Sequence, residues 1–136
     1  ELDLSDAVEI ISRDNLFFEH DTKDLKVKLM QKSWALLLPS VKEGWGMVVT
    51  EAAACGTPAI VTNVTGLMDS VVDRKTGLIL STNPDTKELA HAMETLIADS
   101  SLRTKLSRGS LAFSKKFSWE RSYTEFKNIL LKTSHE

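Results

Sequence analysis

Two carboxylates and two glycines lie close together near the middle of the chain: Glu43, Gly44, Gly46 and Glu51. From Trp45 to Met68 the only charged residue is Glu51. An ionised side chain buried without partners is strongly unfavourable, so a lone Glu in an apolar stretch marks either a solvent-facing gap or a ligand. Gly44 and Gly46 let the backbone approach a bound molecule closely. If a helix starts at Met47, the amides of Met47 and Val48 face outward with roughly half a positive charge behind them. Such an arrangement suits an anion, a phosphate above all. The same residues also fit an ordinary glycine-rich turn entering a core helix.

The standard nucleotide motifs are absent. The third glycine of G-x-G-x-x-G is replaced by Val49, and no Gly-Lys-Ser or Gly-Lys-Thr marks a P-loop. A pair of glutamates also raises glycoside hydrolysis, which places its carboxyl groups about 5 Å apart for retention or about 6.5 to 9.5 Å apart for inversion. A neutral glycoside, however, gives the helix amides nothing to bind. A phosphorylated sugar does: the carboxylates accept hydrogen bonds from its hydroxyls while the amides hold a diphosphate between them. His20, His91 and His135 have no metal-ligand spacing, and Cys55, in a small-residue helix just before Gly56, reads as core rather than nucleophile.

The elements that must position these residues follow from the pattern of apolar residues. Leu4, Val8 and Ile11 predict a short helix over 4–12, and Leu16 to Phe18 a brief strand. Thr22 can cap a helix over 23–32 whose Leu25, Leu29 and Met30 share one face, with lysines on the other. The run from Ala35 to Pro39 predicts a strand buried on both faces. It leads into a loop over 40–46 and a helix from Met47 to Cys55, stopped by Gly56. Ala59 to Thr62 reads as the next strand, Leu67 to Asp73 as a short helix and Leu78 to Leu80 as a last strand. Asp69 and Ser70 are read as helix caps in preference to ligand contacts.

Beyond this the chain turns helical. Asp85 and Glu88 have the spacing of a capping box, Ser101 opens a further helix, and Ser118 caps a last one whose Trp119, Tyr123, Phe126 and Leu130 form a packing stripe. Strands alternating with helices predict an α/β fold with a parallel, Rossmann-like sheet, flanking helices and a helical C-terminal end. One domain over 1–136 is expected, with an α/β portion over 1–84 and helices over 85–136. Ligands of such sheets sit at the carboxyl ends of the strands, so the loops after Phe18, Leu38 and Val61 should share one edge.

Composition agrees. The 136 residues are 42% hydrophobic and 26% charged with a net charge of -2, which is the balance of a soluble globular domain. No basic stripe interleaved with aromatics suggests nucleic acid, and no apolar run is long and uncharged enough for a membrane span. A single cysteine fits a reducing compartment. With its first Met at position 30, the chain is expected to be part of a longer polypeptide.

With the E-x7-E spacing of Glu43 and Glu51, the Glu-Gly-Trp-Gly at 43–46, the run from Glu51 to Val61, Gly66-Leu67-Met68-Asp69-Ser70-Val71 and Thr76-Gly77-Leu78, the sequence resembles the donor-binding half of group 1 glycosyltransferases of the GT-B fold. The resemblance runs from about Asn15 to the final helix, whose Phe117-Ser118-Trp119-Glu120 opening also matches. Many members carry Gly-Gly and a Glu where this chain has Thr65-Gly66 and Asp69; the Gly-Leu-x-Asp-Ser-Val form resembles a branch of the family.

That resemblance implies a donor-binding part of an enzyme that transfers a hexose from a nucleotide-diphosphate sugar to an acceptor with retention, and that uses no cofactor and no metal. It implies that Glu43 contacts the donor sugar, that Glu51 contacts the ribose, and that the backbone of Gly44, Trp45, Gly46, Met47 and Val48 holds sugar and phosphates. His20 and Asp21 would lie beside the base. An acceptor glycan, lipid or small molecule would enter through a separate N-terminal domain, and an Arg and a Lys for the diphosphate would come from the first strand and helix of the donor domain. Neither is expected within these residues, so the chain alone is expected to be inactive and an exposed sheet edge to invite self-association. The expected location is cytoplasmic, with peripheral membrane attachment a further option for the full-length protein. Two other readings stay open at this level: a non-catalytic nucleotide-sugar binding module, and a sugar-nucleotide epimerase of the same fold.

Overall fold

The structure is a computed structural model in which residues 7–11 and 22–133 are described. Strands β1 (Leu36–Leu38), β2 (Ala59–Thr62) and β3 (Gly77–Leu80) form one parallel sheet in the order β1-β2-β3, with Leu36 opposite Ala59 and Ala59 opposite Gly77. Among the described residues six helices surround or extend it: α1 (Thr22–Lys32), α2 (Met47–Ala54), α3 (Leu67–Ser70), α4 (Thr86–Ala98), α5 (Ser100–Ser114) and α6 (Trp119–Thr133).

Alternation along the central strand divides the core in two. Ala59 and Val61 point to one face, where they pack with Val49 of α2, Val64, Leu67 of α3 and Val71. Ile60 points to the other, against Leu78 and Leu80 of β3, Ala92 and Leu96 of α4 and Leu106 of α5. Ile60, Leu67, Leu96 and Leu106 are fully buried, each burial contributing about 1.5 to 3 kcal/mol. Ala52 and Ala53 are buried as well, and their small side chains let α2 lie close against its neighbours. Because α4 and α5 complete the second core, residues 86–114 are part of the sheet's cover.

Polar contacts tie the loops down. The Thr62 hydroxyl donates to the Ser40 carbonyl, joining the end of β2 to the loop after β1. Asp85 caps α4 by accepting from the Glu88 amide at 2.8 Å, as the capping-box spacing predicts. The reciprocal half differs: the Glu88 carboxylate accepts from the Ser81 amide and hydroxyl, both at 2.6 Å, and so fastens the end of β3 to α4. Ser118 accepts from the Arg121 amide at 3.2 Å at the start of α6.

Four expectations need correction or fall outside the structure. Residues 7–11, predicted within a helix, are a turn and irregular chain in which Val8 and Ile10 lie 56% and 88% exposed and Ile11 is half-buried. β1, predicted to be buried on both faces, is only partly covered: it ends the row of strands among the described residues, Leu36 and Leu38 are half-buried against the first core, and Leu37 is 37% exposed. The stripe on α6 does not pack inward either, since the helix has no buried residue and Trp119, Tyr123 and Phe126 are largely exposed. The strand predicted over Leu16 to Phe18 lies outside the described residues.

Candidate functional site

All three strands run the same way, so the loops after Leu38, Thr62 and Leu80 gather at one edge, as predicted for the first two. The loop predicted to follow Phe18 lies outside the described residues. Between the three described loops is a cavity of about 530 Å³, lined by Lys42 and Glu43 from the first loop, Asn63 and Thr65 from the second and Thr82 from the third, with Met68 below. The Thr82 hydroxyl donates to the Asn63 carbonyl at 3.1 Å and closes that side.

The first loop ends at α2, and its conformation is set by glycines. Gly46 is the N-cap residue, left-handed at φ +70° and ψ +60°, and no side chain caps the helix or places an acid in its first turn. The amide of Val49 bonds to the Gly46 carbonyl at 2.8 Å, so the Met47 and Val48 amides precede the first intrahelical bond. A Cβ on Gly46 would stand 2.6 Å from a Leu67 methyl, and one on Gly66, at φ +91°, would stand 1.9 Å from the Gly44 carbonyl oxygen. The loops after β1 and β2 therefore cross in direct contact. Gly44 differs: a Cβ there would meet nothing within 4 Å, so the chain's own packing does not call for glycine at that position.

Each expected site residue has a definite place, His20 and Asp21 excepted, which lie outside the described residues. Glu43 lines the cavity and accepts from the Gly44 amide at 3.2 Å through one carboxylate oxygen. Glu51 lies one turn into α2, away from the cavity lining, where its Oε2 accepts from the Lys26 ammonium of α1 at 2.6 Å. Both partners are partly exposed, which makes the pair a positioning contact more than a source of stability. The Trp45 ring packs edge-on against Phe117, 5.3 Å between centroids, and Phe117 meets Phe113 in the same way at 5.0 Å. Those ring contacts anchor the site loop to the end of α5. Met47 is 71% exposed at the mouth of α2, while Val48 packs against the first core.

Neither Asp69 nor Ser70 caps a helix: the N-cap of α3 is Gly66, no side chain caps it, and the buried Ser70 hydroxyl bonds to the Leu67 carbonyl at 3.1 Å. A cap must precede the first turn, and these residues close it. Lys26, Lys42, Asn63, Thr65 and Thr82 escape a reading of sequence alone. Lys26 lies 25 positions from Glu51, and helical periodicity assigns it only to a solvated face; Asn63, Thr65 and Thr82 could be found only by noting that each follows a predicted strand. Among the described residues no group of three or more His, Cys, Asp or Glu could hold a metal ion, and no helix is long and apolar enough to cross a membrane.

A glycine-shaped loop over a bare helix start, at the carboxyl edge of a parallel sheet, is the arrangement by which α/β domains hold anionic ligands. Residues 4–111 match the family of group 1 glycosyl transferases, and the chain belongs to that family. It is 40% identical over 98 residues to an uncharacterized glycosyltransferase of Methanocaldococcus jannaschii, covering 72% of this chain and 28% of that one. Against the D-inositol 3-phosphate glycosyltransferase of Salinispora tropica the identity is 30% over 128 residues, covering 94% of this chain and 26% of the relative. The chain thus spans about a quarter of the length of these relatives. Among solved structures, sucrose-phosphate synthase from Thermosynechococcus elongatus superposes with a TM-score of 0.71 at 28% identity, over 79% of this chain and 27% of that one. HepE of Anabaena, in complex with UDP, also gives 0.71, at 22% identity over 77% of this chain and 29% of that one, a likeness of fold.

Proposed function

We propose that this chain is the donor-binding part of a retaining glycosyltransferase that moves a hexose from a nucleotide-diphosphate sugar to an acceptor, without a metal or cofactor. The observation that carries the reading is the pairing of an uncapped α2 start, reached through Gly44 and Gly46, with a carboxylate, Glu43, that lines the cavity at the same sheet edge. The diphosphate sits against the Met47 and Val48 amides, where the helix dipole favours negative charge. Open space over Gly44 leaves room for a ligand against the backbone. Glu43 accepts hydrogen bonds from hydroxyls of the donor sugar and holds it over the helix start.

Glu51 takes the ribose. Lys26 bonds Oε2, and a carboxylate offers about four acceptor sites on two oxygens, so the ion pair fixes the group while leaving capacity for a hydroxyl. His20 and Asp21 complete the base end. The family's glycosyl-transferring relatives support the reaction class, and the acceptor side belongs to parts of such proteins that these residues do not cover.

A charge-assisted hydrogen bond contributes about 1.5 to 3 kcal/mol, so Glu51→Ala is expected to weaken nucleotide-sugar binding by about 10- to 150-fold. Calorimetry of wild type and variant against uridine, guanosine and adenosine diphosphate sugars measures this and selects the base. Equal affinities would remove Glu51 from the site. The anomeric configuration of the first product formed by the full-length protein, read by proton NMR, tests retention.

A further inference from the structure

A second cavity, of about 300 Å³, opens at the opposite edge of the sheet, where Ser33 precedes β1 and Pro58 precedes β2. Its lining includes two arginines, Arg103 and Arg108 of α5, together with Ser107 and Trp34, and no acidic residue lines it. Neither arginine forms an ion pair among the described residues.

Arg103 is held in place. Its guanidinium lies 4.4 Å from the Trp34 ring centroid, and one terminal nitrogen donates to the Leu96 and Ile97 carbonyls at the end of α4, the second of these at 2.9 Å. A guanidinium has five donors in a planar fork, so those two bonds leave others to face the cavity. Arg108 is exposed, and no side-chain hydrogen bond of α5 or its neighbours uses it. With two arginines and no acidic residue in its lining, the cavity carries positive charge. Paired guanidinium forks match the oxygens of a phosphate, and the indole face beside them suits a small organic group attached to it. The volume lies at the small end of ligand pockets, which fits a compact phosphate monoester rather than a nucleotide sugar.

We infer that the Arg103, Arg108 and Trp34 cavity at the amino edge of the sheet is a second binding site, for a small phosphate monoester, separate from the donor site. The helix α2 connects the two edges: its N-cap, Gly46, lies at the donor edge, and Gly56, just past its end, lines the second cavity.

Two-dimensional NMR of the protein titrated with glycerol 3-phosphate tests the site, because the donor edge can bind phosphate too and the resonances tell the two apart. Binding here shifts the Trp34 indole N–H and the Arg103 Nε–H; binding at the donor edge shifts the Gly44 amide. R108Q is expected to weaken the Trp34 response about tenfold or more while leaving the Gly44 response unchanged. R121Q on α6 makes the same change in net charge away from the cavity and is expected to leave both responses as they are. An unmoved Trp34 indole, an R108Q titration equal to wild type, or an equal loss in R121Q would each overturn the proposal.

Discussion

The loops that follow β1 and β2 touch at Gly44 and Gly66, and they use glycine there for opposite reasons. Gly66 is filled from within: at φ +91° and with the Gly44 carbonyl 1.9 Å from any added Cβ, the fold itself forbids a side chain. Gly44, on the other side of the same contact, has an ordinary φ and open space where a Cβ would stand. One glycine serves the crossing of two loops; the other keeps a surface clear. A residue that the chain does not need for its own packing is the more informative of the two, because the space beyond it is left open to a ligand.

Breaking the first glycine should have the largest effect. Gly66→Ala is expected to cost about 3 to 5 kcal/mol in urea unfolding, since the added carbon meets the Glu43 and Gly44 backbone and L side chains rarely adopt this backbone conformation. A cost below about 1 kcal/mol would mean that the loops separate easily. Gly44→Ala sharpens the comparison from the other side. Its stability should change by less than about 1 kcal/mol, whereas its affinity for the donor nucleotide sugar should fall about tenfold in calorimetry. Unchanged affinity would show that the open space faces only water. The smallest effect is expected on α6, where Phe126→Ser, at a residue 62% exposed, should change stability by no more than about 0.5 kcal/mol. A larger loss in the unfolding midpoint would reveal that the α6 stripe is covered in solution.

How much of this was legible beforehand differs from element to element. Ala59 to Thr62 and the capped start of α4 were predicted with their observed bounds, because a bounded apolar run and an Asp three residues before a Glu are local signals. The site loop was legible too: Gly44, Gly46 and the uncapped Met47 announce a strand-to-helix turn open to an anion. The far partners were not. Lys26 on Glu51, Phe117 under Trp45 and Ser81 on Glu88 join residues that only folding brings together. The α6 stripe shows the converse failure, since helical periodicity reports that a face is apolar and says nothing about what covers it.

The sequence by itself determined the α/β class and the parallel order of strand and helix, and it singled out the Glu43 to Glu51 segment as the candidate site, because propensity, alternation and glycine act over a few residues. Tertiary structure alone decided that Glu43 enters the cavity while Glu51 is held by Lys26, that Trp45 serves as an anchor, and that Gly44 and Gly66 are not equivalent. Each of those outcomes depends on which loop crosses which. That is settled by how two faces of one sheet are packed at once, and no window of sequence contains it.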